Sequence, residues 1–308
     1  MTPHQRVAAL ARFNPDTVVL AGGAWAIVTP TVTVTIGEPD DVVPVVVVPF
    51  AALKVVVGKG DETPVTVGDE TLTHGAKTVH VDIDPATWPD LTLTYTRELS
   101  SIDAKASCGV AAFAGAPRMK HRPSPMYQVV RYTEDGIVWA TDRHRMVWYD
   151  LQRPMPSLAA SPKVVAGLGR CLPSKDTPVT VGDNGVFAWD DIKVALHPVG
   201  TKPLDRTEQL TGPDWSFTAP DLSAIAGMDT PVTITPKVGK VLVASSNGSS
   251  ATLVAPYEGD AAPFGINPEY LATVVKWCPP ERVGVTRRAV WWQQGPRGAA
   301  VALVKLPD

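Results

Sequence analysis

The chain has 308 residues, of which 44% are hydrophobic and 19% charged, with a formal net charge of −3. That length exceeds a comfortable single core and points to two or three domains, while the near-neutral charge excludes a uniformly basic nucleic-acid binder, so any DNA contact has to be a local patch. Cys108, Cys171 and Cys278 stand far apart with no CxxC, which argues against a disulfide framework and a structural zinc site and fits a reduced, cytoplasmic compartment.

The N-terminal stretch MTPHQRVAALARF has no apolar signal-peptide core, and no stretch approaches about 18 uninterrupted apolar residues. Residues 2–13 instead predict a helix, with Thr2 as N-cap, Pro3 at the first helical position, and Val7, Leu10 and Ala11 at helical spacing. TVVLAGG and TVTVTIG follow as strands. VVPVVVVPF (42–50) reads as a buried strand leading into a short helix, PFAALKVVVGKG (49–60). The strands TPVTVGD (63–69) and KTVHVDID come next, and a joint is expected near 91–94.

A second first-helix is expected over 101–115, capped by Ser101, with Ile102, Ala106, Gly109, Val110 and Phe113 as its apolar stripe. MYQVVRYT, GIVWATD and RMVWYDL read as strands, SPKVVAGLGRCLP (161–173) as a helix, then TPVTVGD again at 177–183. NGVFAWDD and IKVALHPV lead to a joint near 211–214. Residues 219–228 predict a third, shorter first-helix, with Pro220 early and Leu222, Ile225 and Ala226 on one side. TPVTITP, KVLVASS and SATLVAPY are strands, NPEYLATVVKWCPP (267–280) is a helix, and ERVGVTR, AVWWQQG and AAVALVKL close the chain. Short β-branched runs bounded by Gly, Asp, Asn and Pro are the mark of antiparallel strands and hairpins.

TPVTVGD occurs twice, each time after a short helix, and ERVGVTRRAVWW follows the third such helix as a degenerate copy. A period of roughly 100–115 residues is far too long for a solenoid, so the repeats are domain-sized. Three domains are expected, over 1–92, 93–212 and 213–308.

Several chemical signals reduce to structure. His80, Asp82 and Asp84 alternate like metal ligands but read as one solvent-facing side. Asp142, His144 and Arg145 lack a paired nucleophile or second carboxylate for acid–base work. VVVGKGDET and GLGRCL are incomplete phosphate loops. Trp291 and Trp292 read as core or interface rather than a stacking platform for single strands. No active site, metal or cofactor is expected.

The most specific stretch is GIVWATDRHRMVWYDL (136–151), an ATDxHR turn between two strands of the middle repeat; TVHVDIDPATWPDL (78–91) and FGINPEYLATVVKW (264–277) accompany it. In these three places the chain resembles the bacterial β-type DNA sliding clamp, the β subunit of DNA polymerase III, which carries an ATDGHRL-like turn, a D-F-P-x-L-like end to its first domain and an FN-x-x-Y-L helix in its third. The resemblance implies an α+β fold of three tandem clamp-type domains, each with two helices packed on antiparallel sheet. Two chains would form a head-to-tail homodimer, a ring with helices inside, around double-stranded DNA. It also implies a non-enzymatic, nucleoid-associated processivity factor for DNA replication. The ring would tether the replicative DNA polymerase, with a pocket between the second and third domains for short peptides of the polymerase, the clamp loader and repair proteins.

Carried over residue by residue, Thr141, His144, Arg145 and Met146 match the turn, and Arg143 stands where the family has Gly, so the turn must either avoid φ > 0 or strain an Arg. Leu303 and Val304 stand where the family has Met-Pro. The strongest basic cluster, PRMKHRPSPMY (117–127), supplies Arg118, Lys120, His121 and Arg122 in the loop that faces DNA in the family; Lys105, Arg6 and Arg12 are further candidates. The third first-helix, PDLSAIAGM, carries no basic residue. The rival readings are a non-catalytic tandem β-domain interaction protein, which has no need of ring closure or of the 118–122 cluster, and an enzyme using the Asp142–Arg145 turn.

Overall fold

The computed structural model describes residues 1–40, 42–59, 61–115, 124–201, 204, 210, 213–218, 222–225, 228–237, 239–245, 248–253, 257–259 and 261–304. Five α-helices are described: α1 (Pro3–Leu10), α2 (Phe50–Val56), α3 (Ser101–Cys108), α4 (Pro162–Cys171) and α5 (Pro268–Trp277). The chain forms two compact units, one of Met1–Gly109, Tyr132–Glu134 and Pro154–Val199, the other of Val110–Arg131, Asp135–Arg153 and Gly200–Asp308. The stretch expected as a middle domain, 93–212, is therefore divided between them.

In the first unit a nine-stranded antiparallel sheet runs in the order Asp84–Pro85, Val46–Pro49, Thr17–Ala21, Ala24–Val28, Val32–Ile36, Ile192–Leu196, Val186–Trp189, Pro178–Val181, Arg97–Ser100. Its seam is informative: Val32–Ile36 pairs with Ile192–Leu196 in register from Ile36↔Ile192 to Val32↔Leu196, so strands far apart in sequence share one ladder. Val34 and Val194 are buried there. A three-stranded sheet, Thr66–Val67, Thr71–His74 and Lys77–His80, belongs to the same unit. The second unit repeats the device. Arg145–Asp150 pairs with Arg297–Ala302 from Arg145↔Val301 to Tyr149↔Arg297, joining strands far apart in sequence, and the same unit holds a four-stranded sheet.

Local chemistry explains the helix starts. Thr2 caps α1 in a full capping box: its hydroxyl accepts from Gln5 N–H at 3.3 Å and its own N–H donates to Gln5 Oε1 at 2.9 Å. Leu10 is buried from this helix as expected, whereas Ala11 is exposed. Helix α5 starts on Asn267, whose side chain accepts from the N–H groups of Glu269 and Tyr270.

Helix α3 departs from expectation. Its cap is Ser100, which accepts from Ile102 N–H at 3.1 Å, while Ser101 sits inside the helix and donates to Lys175 O at 2.9 Å. The inner face is Ala104, Ser107 and Cys108; Ile102 is 52% exposed. The reason is the neighbour. A Cβ on Gly169 of α4 would lie 2.7 Å from Cys108 Cβ, so these helices approach too closely for large side chains between them.

Of the third first-helix, expected over 219–228, residues 219–221 and 226–227 lie outside the described residues, and Leu222–Ile225 form a 3-10 turn. VVPVVVVPF does lead into α2, but of its strand Val46–Pro49 only Val48 is fully buried. His80, Asp82 and Asp84 are all exposed, and Trp292 is buried with its indole N–H donating to Cys278 O at 2.6 Å. All three cysteines are free thiols. No helix among the described residues is long and apolar enough to cross a membrane.

Candidate functional site

The ATDRHRM turn joins the strands Ile137–Thr141 and Arg145–Asp150, which pair from Ile137↔Asp150 to Thr141↔Met146. Its conformation is set by two side chains that replace backbone partners. Thr141 Oγ1 donates to Arg145 O at 2.7 Å and accepts from Arg143 N–H at 3.1 Å. Asp142 Oδ1 accepts from the N–H groups of His144 (3.0 Å) and Arg145 (2.7 Å), and Oδ2 from Arg145 Nε (2.8 Å) and Nη2 (2.5 Å). Asp142 is fully buried. Its four hydrogen bonds bind it to the turn.

Arg143 adopts φ +81°, the left-handed region that Gly enters without strain. The surrounding bonds hold it there, and its side chain stays exposed. Helix α5 presses on the other side of the turn: Arg145 Nη1 donates to Thr273 Oγ1 at 2.7 Å, its guanidinium lies 5.2 Å from the Tyr270 ring, and His144 stacks on Tyr270 at 5.2 Å and 20°.

The last strand then threads past this turn. Ala302 N–H donates to His144 O (2.8 Å), Leu303 N–H to Arg288 O (2.9 Å) and Val304 N–H to Gly265 O (2.9 Å). Several cavities adjoin here within the second unit, among them two that share Arg288 and a third, of about 470 Å³, that shares Arg287 and Leu303 with the larger of these. Of the first two, one, of about 170 Å³, is lined by Thr141, Arg143, His144, Arg145 and Met146. The other, of about 560 Å³, is lined by Leu303 and Val304. Arg288 lines both. Under the first lies a cluster of Ile137, Trp139, Met146, Trp148 and Ala300, with Leu210 packed against it. Thus every residue singled out for a pocket lines one of two hollows that share Arg288. Leu210, Arg288 and Ala300 were not legible as members, because they come from segments remote in sequence with no motif of their own.

The basic residues fare differently. Arg118, Lys120, His121 and Arg122 lie outside the described residues. Arg6 turns onto its own sheet: it donates to Gly23 O, lies 5.8 Å from the Trp25 ring and 3.8 Å from Asp191, and burial lowers its pKa, which Asp191 partly offsets. It ties α1 to the sheet instead of presenting a charge. Arg12 is exposed and donates to Arg170 O. Lys105 Nζ donates to Ser174 Oγ at 3.0 Å.

No family model and no curated protein matches the sequence. Solved structures do match. The DNA polymerase III subunit β sliding clamp of Bartonella birtlesii, bound to griselimycin, superposes with a TM-score of 0.72 at 14% identity, covering 99% of both chains. The fold is that of a bacterial β sliding clamp. The pol III beta of Caulobacter crescentus gives a TM-score of 0.73 at 12% identity, again over 99% of both chains, and the DNA polymerase sliding clamp of Pseudomonas aeruginosa gives 0.72 at 13% over 99% of both. The sliding-clamp fold spans the chain, and the ATDRHRM turn and the final strand meet within it.

Proposed function

We propose that this chain is a DNA sliding clamp: a ring-forming processivity factor without an active site of its own that encircles duplex DNA and tethers a replicative polymerase. The observation that carries the reading is the clamp fold, matched over 99% of the chain with a TM-score of 0.72. The domains run over 1–92, 93–212 and 213–308, and two chains close head to tail, since three similar domains per chain give six around one axis.

A sliding ring holds DNA by topology, with weak phosphate attraction and no base reading. A chain of net charge −3 suits that task if its positive charge is local. Arg118, Lys120, His121 and Arg122, aided by Lys105 and Arg12, are the proposed phosphate contacts. Arg6 is left out because its side chain is largely buried against Trp25 and Asp191, whereas Arg12 is exposed. The two hollows beside the ATDRHRM turn receive short peptides of the polymerase and the clamp loader. Tethering then works through effective concentration: a polymerase that lets go of its primer end stays near it and rebinds.

Light scattering on the purified chain, together with retention on circular and linear duplex DNA, tests the proposal. A dimer retained on closed circles and lost from linear DNA is the expected result. A monomer that binds neither form overturns it.

A further inference from the structure

We infer that the paired hollows select peptides in which an apolar anchor is flanked by carboxylates; this rests on the peptide-binding reading above. The smaller hollow has an apolar floor of Met146 and Ala300, with Leu210 at its side. Its polar rim carries cations from two remote segments, Arg143 and Arg288, and the larger hollow adds Arg287. All three side chains are exposed. Among the described residues neither hollow has an Asp or Glu in its lining, although Asp214 lines a neighbouring hollow that shares Arg287 and Leu303 with the larger one.

This concentration of charge runs against composition, since the whole chain is acidic by three charges. Among the described residues no ion pair engages Arg143, Arg287 or Arg288. Arg145 is a different case: Asp142 neutralises it inside the turn. The rim therefore presents guanidinium groups whose complement is a carboxylate, the partner that Arg binds bidentately. Arg143 points the same way. A bulky cation is held at φ +81° where Gly would fit without strain, and strain tolerated beside a binding hollow is a mark of use. A nucleic-acid strand offers anions too, but a hollow of about 170 Å³ floored by Met146 and Ala300 fits a side chain rather than a continuous phosphate backbone.

The test uses the full chain and two fluorescein-labelled peptides sharing a Leu-Leu-Phe centre, one flanked on each side by two Asp and the other by two Asn. Anisotropy titrations are run on wild type, Arg288→Gln, Arg143→Gln/Arg288→Gln and Met146→Asp, with thermal melts confirming that each variant folds. Wild type is expected to bind the Asp peptide about tenfold more tightly than the Asn peptide at about 50 mM NaCl, and to lose most of that preference at about 500 mM. The double variant should bind both peptides alike, and Arg288→Gln, an exposed change that leaves the turn intact, should show a partial loss.

Equal binding of the two peptides by wild type overturns charge selection but leaves the peptide site standing. The same holds for a preference that survives in the double variant. If neither peptide binds wild type, or if Met146→Asp binds both as wild type does, the peptide site itself falls and the selectivity with it.

Discussion

Arg145 Nη2 lies 2.5 Å from Asp142 Oδ2, and that carboxylate is fully buried. The pair holds the turn at one end while Thr273 of α5 holds the same guanidinium at 2.7 Å. Removing one member of a buried pair strands the other charge without a partner, which costs about 3–5 kcal/mol. Asp142→Ala should lose that much in urea denaturation. Asp142→Asn, which keeps an oxygen for the backbone N–H groups, should lose less. A loss for Asp142→Ala under about 1 kcal/mol would place the pair with surface ion pairs and remove its structural role.

Arg143 gives a prediction of opposite sign. At φ +81° a side chain is strained, and Gly is not. Arg143→Gly is expected to stabilise the chain by about 1 kcal/mol while weakening capture of acidic peptides, a trade between stability and function at one residue. An unchanged or lowered melting temperature would show that the Arg143 side chain contributes packing that outweighs the strain.

Gly298 is required for a different reason. A Cβ there would sit 1.9 Å from Trp148 Cε2, inside the seam between Arg145–Asp150 and Arg297–Ala302. Overpacking of this kind costs about 1–3 kcal/mol, so Gly298→Ala should lower stability measurably. Trp148→Phe, by opening space, should reduce the penalty of the second change, and the double-mutant cycle measures that coupling. Additive effects would mean that the strand shifts freely instead.

How far these features could be read from residues alone depended on whether local chemistry or a remote neighbour decides them. Thr2 with Gln5, and Asn267 ahead of Pro268, are self-contained caps, and helices α1 and α5 start where they say. The ATDRHRM turn carries its own bonding within six residues, from Thr141 to Met146, so its place in the sheet was legible too. The buried face of α3 was not. Its period breaks where the helix turns 3-10 at Gly109, and its depth is set by Gly169 on another helix. The TPVTVGD copies make the same point. In the second, Pro178–Val181 is a sheet strand with Val179 and Val181 buried; in the first, only Thr66–Val67 is strand and both residues are exposed. Identical residues thus end in different environments, because strand propensity yields to context. Arg288 was invisible as a pocket residue because nothing in TRRA announces the strand and turn it meets.

Cys108 supplies a pH test of the packing between α3 and α4. Burial pushes its thiol up to about 12 from an ordinary 9.0, with Tyr132 beside it, whose own hydroxyl is raised well above 10.0 by burial. The unfolded chain releases the thiol proton near pH 9, whereas the folded chain keeps it until about 12. The neutral thiol's contribution is therefore fully present below pH 9 and is lost progressively as pH rises from there. Each pH unit in that window is worth about 1.4 kcal/mol for one group. Denaturation at pH 8 and pH 10 should show wild type losing about 1 kcal/mol more than Cys108→Ala, which keeps the close approach to Gly169 but carries no titrating group. Equal losses in the two proteins would mean that the α3–α4 contact opens to water before the thiol ionises.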